Sequence, residues 1–299
     1  DTIAMAFSMM SSRQKERFKH LLETDIAYSV PGMGRFRCNI FQQRGSVGLV
    51  LRLIPARIMN FKELMLPAVI EKICEEQRGL VLVTGTTGSG KSTSLASMID
   101  HINTRRIEHV MTIEDPIEFL HRDKKSIINQ REVDVDTKQF STALRSAMRQ
   151  DPDVILVGEM RDLETIRLAL TAAETGHLVF GTLHTSSAAK TIDRVVDVFP
   201  AGEKDMVRSM LSESLRAVIS QTLLKRNGGG RVAAHAIMIG TAAIRNLIRE
   251  GKIAQMYSAI QTGQAAGMTT LDQSLQELLA KGVVSREEAR YKAANKEAF

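Results

Sequence analysis

The sequence predicts an α/β protein with a mainly parallel β-sheet and helices on its faces. From Gly79 onward, short apolar runs alternate with segments whose apolar residues recur at helical spacing. One junction between such a run and a helical segment is rich in glycine, GTTGSGKS at 85–92. Strands joined through helices lie parallel, because a parallel pair needs a long crossover connection.

Length and composition indicate a globular protein. The 299 residues suit one large domain and a smaller one, and 43% hydrophobic with 25% charged residues argues against a disordered or fibrous chain. No run approaches the ~18 apolar residues of a spanning helix, and DTIAMAFSMMSS lacks the charged start of a secretory signal. We therefore expect a cytoplasmic protein. Cys38 and Cys74 form no CxxC pair, so we interpret both as packing residues.

The net charge of +6 arises from 40 basic and 34 acidic residues spread along the chain. This pattern favours a mixed, solvated surface over a nucleic-acid footprint. The chain also has no Trp and three Tyr, so aromatic platforms for stacking bases are scarce. We expect no direct nucleic-acid partner, although the positive charge leaves a DNA-dependent ATPase as an alternative hypothesis.

Residues 1–57 are predicted to form a small α/β domain. The polar run RQKERFKHLLE is typical of a helix, the period-two segments RFRCNIF and GLVLRLI predict strands, and PGMG at 31–34 predicts a turn. Pro55 and the mixed segment after it predict a connector, with a domain boundary near residue 60.

The predicted core domain, 58–240, contains four apolar runs that predict strands: LVLV (80–83), HVMTI (109–113), VILV (154–157) and LVFGTL (178–183). Between the last two, Asp162 is expected to cap a helix that Gly176 ends. Residues 206–224 have apolar side chains at helical spacing and predict one long helix, which GGG at 228–230 interrupts. VAAHAIMI then predicts a short strand, and 241–299 predicts a helical C-terminal region.

The glycine-rich segment fits the P-loop pattern G-x-x-x-x-G-K-[ST] and lies after a predicted strand and before a predicted helix, as that pattern requires. Its glycines let successive backbone N–H groups face phosphate oxygens at a helix N-terminus. Lys91 can reach the β- and γ-phosphates, and the Ser92 hydroxyl can ligate Mg²⁺. The cofactors predicted are thus ATP and Mg²⁺. The predicted nucleotide-binding residues are Gly85, Thr86, Thr87, Gly88, Ser89, Gly90, Lys91, Ser92 and Thr93.

Acids and a histidine follow the other predicted strands. Glu114, Asp115 and Glu118 come after the second strand, Glu159 after the third, and His184 after the fourth. Because the carboxyl ends of parallel strands share one crevice, we expect these side chains to face the P-loop. A carboxylate there can orient or deprotonate the attacking water or hold Mg²⁺ through water, and neutral His184 could sense the γ-phosphate.

The P-loop has no basic cluster of its own, so transition-state charge calls for an arginine from elsewhere. Arg35, Arg37 and Arg52 lie on the strand-like segments of the N-terminal domain and are candidates. An ordinary role as surface charges is the alternative.

These motifs together resemble the secretion and type IV pilus ATPases, RecA-like motors that form hexameric rings. LVTGTTGSGKST is similar to the family's Walker A motif, TIEDPIEF to its Asp box, DPDVILVGEMRD to its Walker B motif with Gly in place of Asp, and GHLVFGTLHTSSA to its His box. AIRNLIRE at 243–250, and the lack of a tetracysteine zinc loop, favour the subgroup that powers pilus retraction in twitching motility.

The resemblance implies a site and an assembly. Glu118 is implied as the water-activating base, Glu159 as a Mg²⁺ support and His184 as a contact of the phosphates, while Arg37 and Arg52 align best with arginines that reach nucleotide from the N-terminal domain. The choice between Glu118 and Glu159 as principal catalytic acid stays open. The implied partners are five further copies in a homohexamer, a pilus platform protein at the cytoplasmic face of the inner membrane and, indirectly, pilin.

The sequence also departs from the family pattern. Much of the PAS-like N-terminal domain is expected to be missing from a chain that begins at Asp1, Thr86 stands where proline is usual, and Ala236 where the family commonly has Glu. Two further hypotheses stay open. One is a motor for pilus extension or type II secretion. The other is a nucleotide-bound regulator that hydrolyses nothing, which the absent Walker B aspartate suggests.

Overall fold

The computed structural model describes residues 1–54 and 57–299. The chain forms two compact units: the first unit is Asp1–Ile58 with Asp115–His121, and the second unit is Met59–Glu114 with Arg122–Phe299. Pro55, which opens the predicted connector, lies outside the described residues. The division of the chain at residues 57 and 240 stays a prediction.

The first unit contains two helices and a three-stranded antiparallel sheet in the order β1-β2-β3. Its elements are α1 (Thr2–Met9), α2 (Ser12–Leu21), β1 (Glu23–Val30), β2 (Gly34–Gln43) and β3 (Ser46–Ile54). The predicted helix and two strands are confirmed. Strand β1 was not predicted, since ETDIAYSV is polar at its start and follows the helix without a breaker. Cys38 and Ile40 are fully buried against the helices, so the packing role of Cys38 is confirmed.

The second unit is built on a seven-stranded sheet in the order β10-β9-β4-β8-β7-β5-β6. Its strands are β4 (Gly79–Thr84), β5 (His109–Glu114), β6 (Ile127–Glu132), β7 (Val154–Val157), β8 (Leu178–Leu183), β9 (Leu215–Lys225) and β10 (Arg231–Ile239). Every neighbouring pair is parallel except β9 and β10. The predicted α/β fold with a mainly parallel sheet is confirmed. The short, polar strand β6, IINQRE, was not predicted.

Helices cover this sheet and form the C-terminal region. They are α3 (Val69–Cys74), α4 (Lys91–Arg105), α5 (Phe140–Ala147), α6 (Leu163–Glu174), α7 (Ala188–Asp197), α8 (Lys204–Ser214), α9 (Ala242–Arg249), α10 (Met256–Thr262), α11 (Leu271–Ala280) and α12 (Arg286–Lys292). Four short 3₁₀ helices lie at Ala201–Glu203, Ile253–Gln255, Gln264–Ala266 and Lys296–Ala298. The helical C-terminal region is thus confirmed. Across 1–54 and 57–299, none of the helices combines the length and the apolar character needed to cross a bilayer.

One predicted element is wrong. Residues 206–224 are not a single helix, because α8 ends at Ser214 and β9 begins at Leu215. Strand β9 pairs with β4 on one side and with β10 on the other, and most of its side chains are buried. A strand buried on both faces carries apolar residues at almost every position, so its sequence also satisfies helical spacing. Pairing with β4 and β10 stabilises the strand over a helix, and the apolar periodicity carries no information about that pairing.

The central strands are deeply buried. Every residue of β4, β7 and β8 is buried, and apolar layers pack on both faces of the sheet. Helix α6 begins and ends as predicted. At its N-terminus the Asp162 carboxylate accepts a hydrogen bond from the Thr165 backbone N–H at 2.8 Å, and Gly176 follows its C-terminus at φ 116°. The buried strands therefore carry the loops at the carboxyl edge of the sheet.

Candidate nucleotide-binding site

The P-loop, residues 85–92, connects the buried strand β4 to α4. Gly85 has φ 142°, and a Cβ atom there would lie 2.4 Å from the Gln221 carbonyl oxygen and 2.5 Å from Ser89 Oγ. Only glycine fits this turn. Gly90 stands at the N-cap of α4 in the left-handed region, and within the described chain no side chain caps the helix there. The first backbone N–H groups of α4 are thus left for an external acceptor, as expected of an anion-binding loop.

Two side chains brace the loop. The Lys91 ammonium donates hydrogen bonds to the carbonyl oxygens of Gly85, at 2.8 Å, and Thr86, at 3.2 Å. From the neighbouring strand β9, Gln221 Nε2 donates to the Ser89 carbonyl oxygen at 2.7 Å. Gln221 is 4% exposed and gave no signal in the sequence, because its contact depends on the unpredicted strand β9. These hydrogen bonds hold the P-loop at Gly85, Thr86 and Ser89, and the Lys91 ammonium lies across the loop.

The ends of β7 and β8 bring Glu159 and His184 together. The two strands pair in parallel with Val157 opposite Gly181, so the residues that follow each strand are neighbours. His184 Nε2 lies 2.8 Å from Glu159 Oε1, and Arg161 Nη2 lies 2.5 Å from Glu159 Oε2. The structure thus brings together two predicted site residues and adds Arg161, which the sequence interpretation missed although it stands in the same GEMRD motif.

The electrostatics of Glu159 follow from these contacts. Partial burial alone would raise the pKa of this carboxyl group. The hydrogen bond and charge of Arg161, together with His184, outweigh burial and hold the pKa of Glu159 below its ordinary value. Glu159 is therefore an ionised carboxylate at neutral pH, able to accept a proton or to attract a cation.

Gly158 explains why the family motif has glycine before this glutamate. A Cβ atom at Gly158 would lie 2.9 Å from the Ile113 carbonyl oxygen and 3.2 Å from Glu114 Cα on the adjacent strand β5. The Gly158 backbone N–H donates to that same carbonyl oxygen at 2.8 Å, and Thr182 of β8 donates its hydroxyl to the Gly158 carbonyl. An aspartate at 158 has no room, so the acidic function of this strand end rests on Glu159.

The acids after β5 have different places. Glu114 ends β5 within the second unit, where its carboxylate accepts hydrogen bonds from Thr112 Oγ1 at 2.6 Å and Gln130 Nε2 at 3.1 Å. Asp115 and Glu118 belong to the segment Asp115–His121 of the first unit. The role of Glu118 as a base stays a prediction.

Arg37 and Arg52 lie directly opposite each other on β2 and β3 of the first unit. Arg35 stands two residues before Arg37 and so shares its side of the sheet. Like charges directly opposite one another destabilise a strand pair, so this face is suited to a negatively charged contact. A catalytic role for Arg37 and Arg52 stays a prediction.

The P-loop residues fit a bound polyphosphate. The close backbone approach at Gly85 and the uncapped start of α4 provide a cradle of N–H groups, and Lys91 provides the charge. Ser92 lies exposed in the first turn of α4, where its hydroxyl can serve a magnesium ion bound to such a phosphate. Glu159 is suited to support that magnesium ion through a bridging water.

A family model described as "Type II/IV secretion system protein" matches residues 35–290. The chain belongs to this family. Among its relatives is the type IV pilus retraction ATPase PilT of Pseudomonas aeruginosa, 64% identical over 296 residues that cover 99% of this chain and 86% of the relative. The twitching motility protein of Neisseria gonorrhoeae is 59% identical and is matched over 99% of this chain and 79% of its own length.

A solved family structure has the same fold. The crystal structure of the pilus retraction motor PilT with bound ADP aligns with a TM-score of 0.93 and 51% identity, over 100% of this chain and 85% of that chain. The predicted RecA-like ATPase core and the predicted resemblance to secretion and pilus ATPases are confirmed. The ligand of that family structure, ADP, is a nucleotide.

Proposed function

We propose that this chain is an ATPase motor that powers retraction of a type IV pilus and so drives twitching motility. The observation that supports this most strongly is the P-loop at the carboxyl end of β4, with ionised Glu159 at the end of β7 and His184 at the end of β8 in the same sheet. The names of the relatives, a retraction ATPase and a twitching motility protein, give the direction of the work.

Mg-ATP, when bound, supplies the phosphoryl group that is transferred to water. Lys91 neutralises phosphate charge, and the α4 N-terminus holds the phosphates by backbone N–H groups. Glu159 or Glu118 orients the attacking water and accepts its proton, and His184 keeps the Glu159 carboxylate in place at 2.8 Å. Ser92, with Glu159 through water, would hold Mg²⁺.

The proposal includes a homohexamer in which Arg37 and Arg52 of one subunit reach the nucleotide of the next. The paired arginines of β2 and β3 support it, because they offer two guanidinium groups on one face. The division into a PAS-like region at 1–57, a core at 58–240 and a C-terminal region at 241–299 is part of the same proposal. A platform protein at the cytoplasmic face of the inner membrane would receive the force.

The test is hydrolysis of Mg-ATP by purified Lys91→Ala and Glu159→Gln variants. Each should lower kcat by at least about 100-fold, because phosphate charge or the water-activating carboxylate is lost. Matched controls are Lys190→Ala and Glu164→Gln, which change the same residue types at exposed positions of α7 and α6. Phosphate release measured by coupled assay within twofold of wild type in both site variants would overturn the catalytic assignment.

A further inference from the structure

A pocket of about 200 Å³ opens in the second unit beside the start of the P-loop. Its lining includes Gly85, Thr86, Ser186, Thr222, Ala236 and Lys292. The pocket thus joins the P-loop to the end of β8, the β9–β10 hairpin and the C-terminal helix α12. The proposed mechanism uses Gly85 and Thr86 of the P-loop but gives no role to Ser186, Thr222 or Lys292.

Ala236 and Leu271 form apolar parts of the wall, and the polar lining residues offer groups that suit an oxyanion. Among the lining residues of the described chain, Lys292 carries the one charge, and Thr86, Ser186 and Thr222 bring hydroxyl groups that can donate hydrogen bonds. The hydroxyl of Ser220, also in the wall, lies 2.7 Å from that of Thr84. A cation combined with hydroxyl donors suits an oxyanion such as phosphate and disfavours a second cation.

Size and position narrow the ligand further. At about 30 Å³ for each water in the liquid, the pocket of about 200 Å³ holds roughly seven waters, enough for a phosphate ion with part of its hydration shell. Ala236 keeps one wall short, and Gly85 and Thr86 place the P-loop directly in the lining. An anion leaving the phosphate end of the P-loop has this pocket next to it.

We propose that this pocket binds inorganic phosphate after hydrolysis, with Lys292 as its counter-charge. The proposal rests on the proposed function, since ATP hydrolysis is the source of the phosphate. Lys292 is partly buried at the end of α12, with its ammonium 5.3 Å from the ring centroid of Tyr291. Nucleotide state would thereby be communicated to the C-terminal region, which contributes this lysine.

The experiment titrates inorganic phosphate into the intact protein, once without nucleotide and once with saturating Mg-ADP. Binding is measured by ³¹P NMR line width or by calorimetry. Lys292→Gln should weaken phosphate binding about tenfold, because a hydrogen-bonded charge is lost. The matched control Lys296→Gln removes the same charge from an exposed site four residues away and should leave binding unchanged. Ala236→Glu is a second variant, expected to abolish binding because its carboxylate would enter the pocket and pair with Lys292.

Equal phosphate binding by wild type and Lys292→Gln, or equal weakening by Lys292→Gln and Lys296→Gln, would overturn the proposal. Neither result touches the hydrolysis test above, so the two proposals fail separately. A single-turnover experiment with a fluorescent phosphate sensor tests whether the bound phosphate comes from ATP hydrolysis. Lys292→Gln should release phosphate faster while acid quench shows an unchanged hydrolysis step. An unchanged release rate would mean that the pocket takes free phosphate from solution, and would overturn its role with the product.

Discussion

At the scale of single residues, the site depends on how closely backbones approach at the strand ends. Gly85 and Gly158 both lie where a Cβ atom would meet a neighbouring carbonyl oxygen, at 2.4 Å and 2.9 Å. Small residues at these points allow the P-loop to lie against β9 and allow Glu159 to leave β7 next to β8. The position of the Glu159 carboxylate thus depends on glycine at position 158.

We expect Gly158→Ala to lower both stability and turnover. The new methyl group must push against the Ile113 carbonyl, which costs about 1 to 3 kcal/mol, and the shift passes directly to the adjacent Glu159. Urea denaturation and steady-state ATPase rates measure the two effects. Gly202→Ala is the matched control, since nothing lies within 4 Å of a Cβ atom at that position. Wild-type values in Gly158→Ala would contradict the close-packing explanation.

At the scale of elements, local chemistry was predictable and strand pairing was not. The P-loop, the Asp162 cap and the buried runs at β4, β7 and β8 were predicted because their signals lie within a few residues of sequence. The contact of Glu159 with His184 was expected only as a shared crevice, because its geometry depends on the register of β7 against β8. Gln221 and Lys292 were missed for the same reason, since β9 and α12 reach the P-loop only through tertiary structure.

Helix α9 carries most of the AIRNLIRE segment and has two unlike faces. Ile244 and Ile248 are fully buried, whereas Asn246 and Arg249 are exposed. The apolar face holds the helix on the second unit, so the segment cannot be deleted without exposing its core. The polar face is available to a partner and is where substitutions can separate force transmission from hydrolysis.

We expect Asn246→Ala combined with Arg249→Ala to keep the ATPase rate within about twofold of wild type, because surface changes cost little stability, and to abolish twitching. The measurements are ATP hydrolysis in vitro and the twitching zone of cells that carry the variant as sole copy. The matched control combines Gln276→Ala, at an exposed position of α11, with Lys281→Ala, at the exposed residue that follows this helix, and should twitch normally. Normal twitching by the α9 variant would show that the polar face of α9 does not transmit force to the pilus.

At the scale of the whole molecule, the proposed ring divides each active site between two subunits. In this proposal the second unit of one subunit would supply the P-loop and Glu159, and the first unit of its neighbour would supply Arg37 and Arg52, which lie opposite each other on β2 and β3. Ring assemblies use heterologous contacts, in which two different surfaces of one chain meet. A site shared in this way makes hydrolysis depend on assembly, and it predicts complementation between inactive subunits.

We expect Arg37→Ala and Glu159→Gln subunits to be nearly inactive alone and to recover activity when mixed and reassembled. In mixed rings, some interfaces pair an intact Glu159 site with an intact Arg37 from the neighbour. Random equal mixing gives this pairing at about one quarter of interfaces, so roughly a quarter of the wild-type ATPase rate should return if sites act independently.

Sedimentation with and without ATP checks that both variants assemble. Arg44→Ala, at the exposed β2–β3 turn, should be active without mixing and serves as the matched control. A mixture no more active than the average of its two components would show that Arg37 does not act on a neighbouring site.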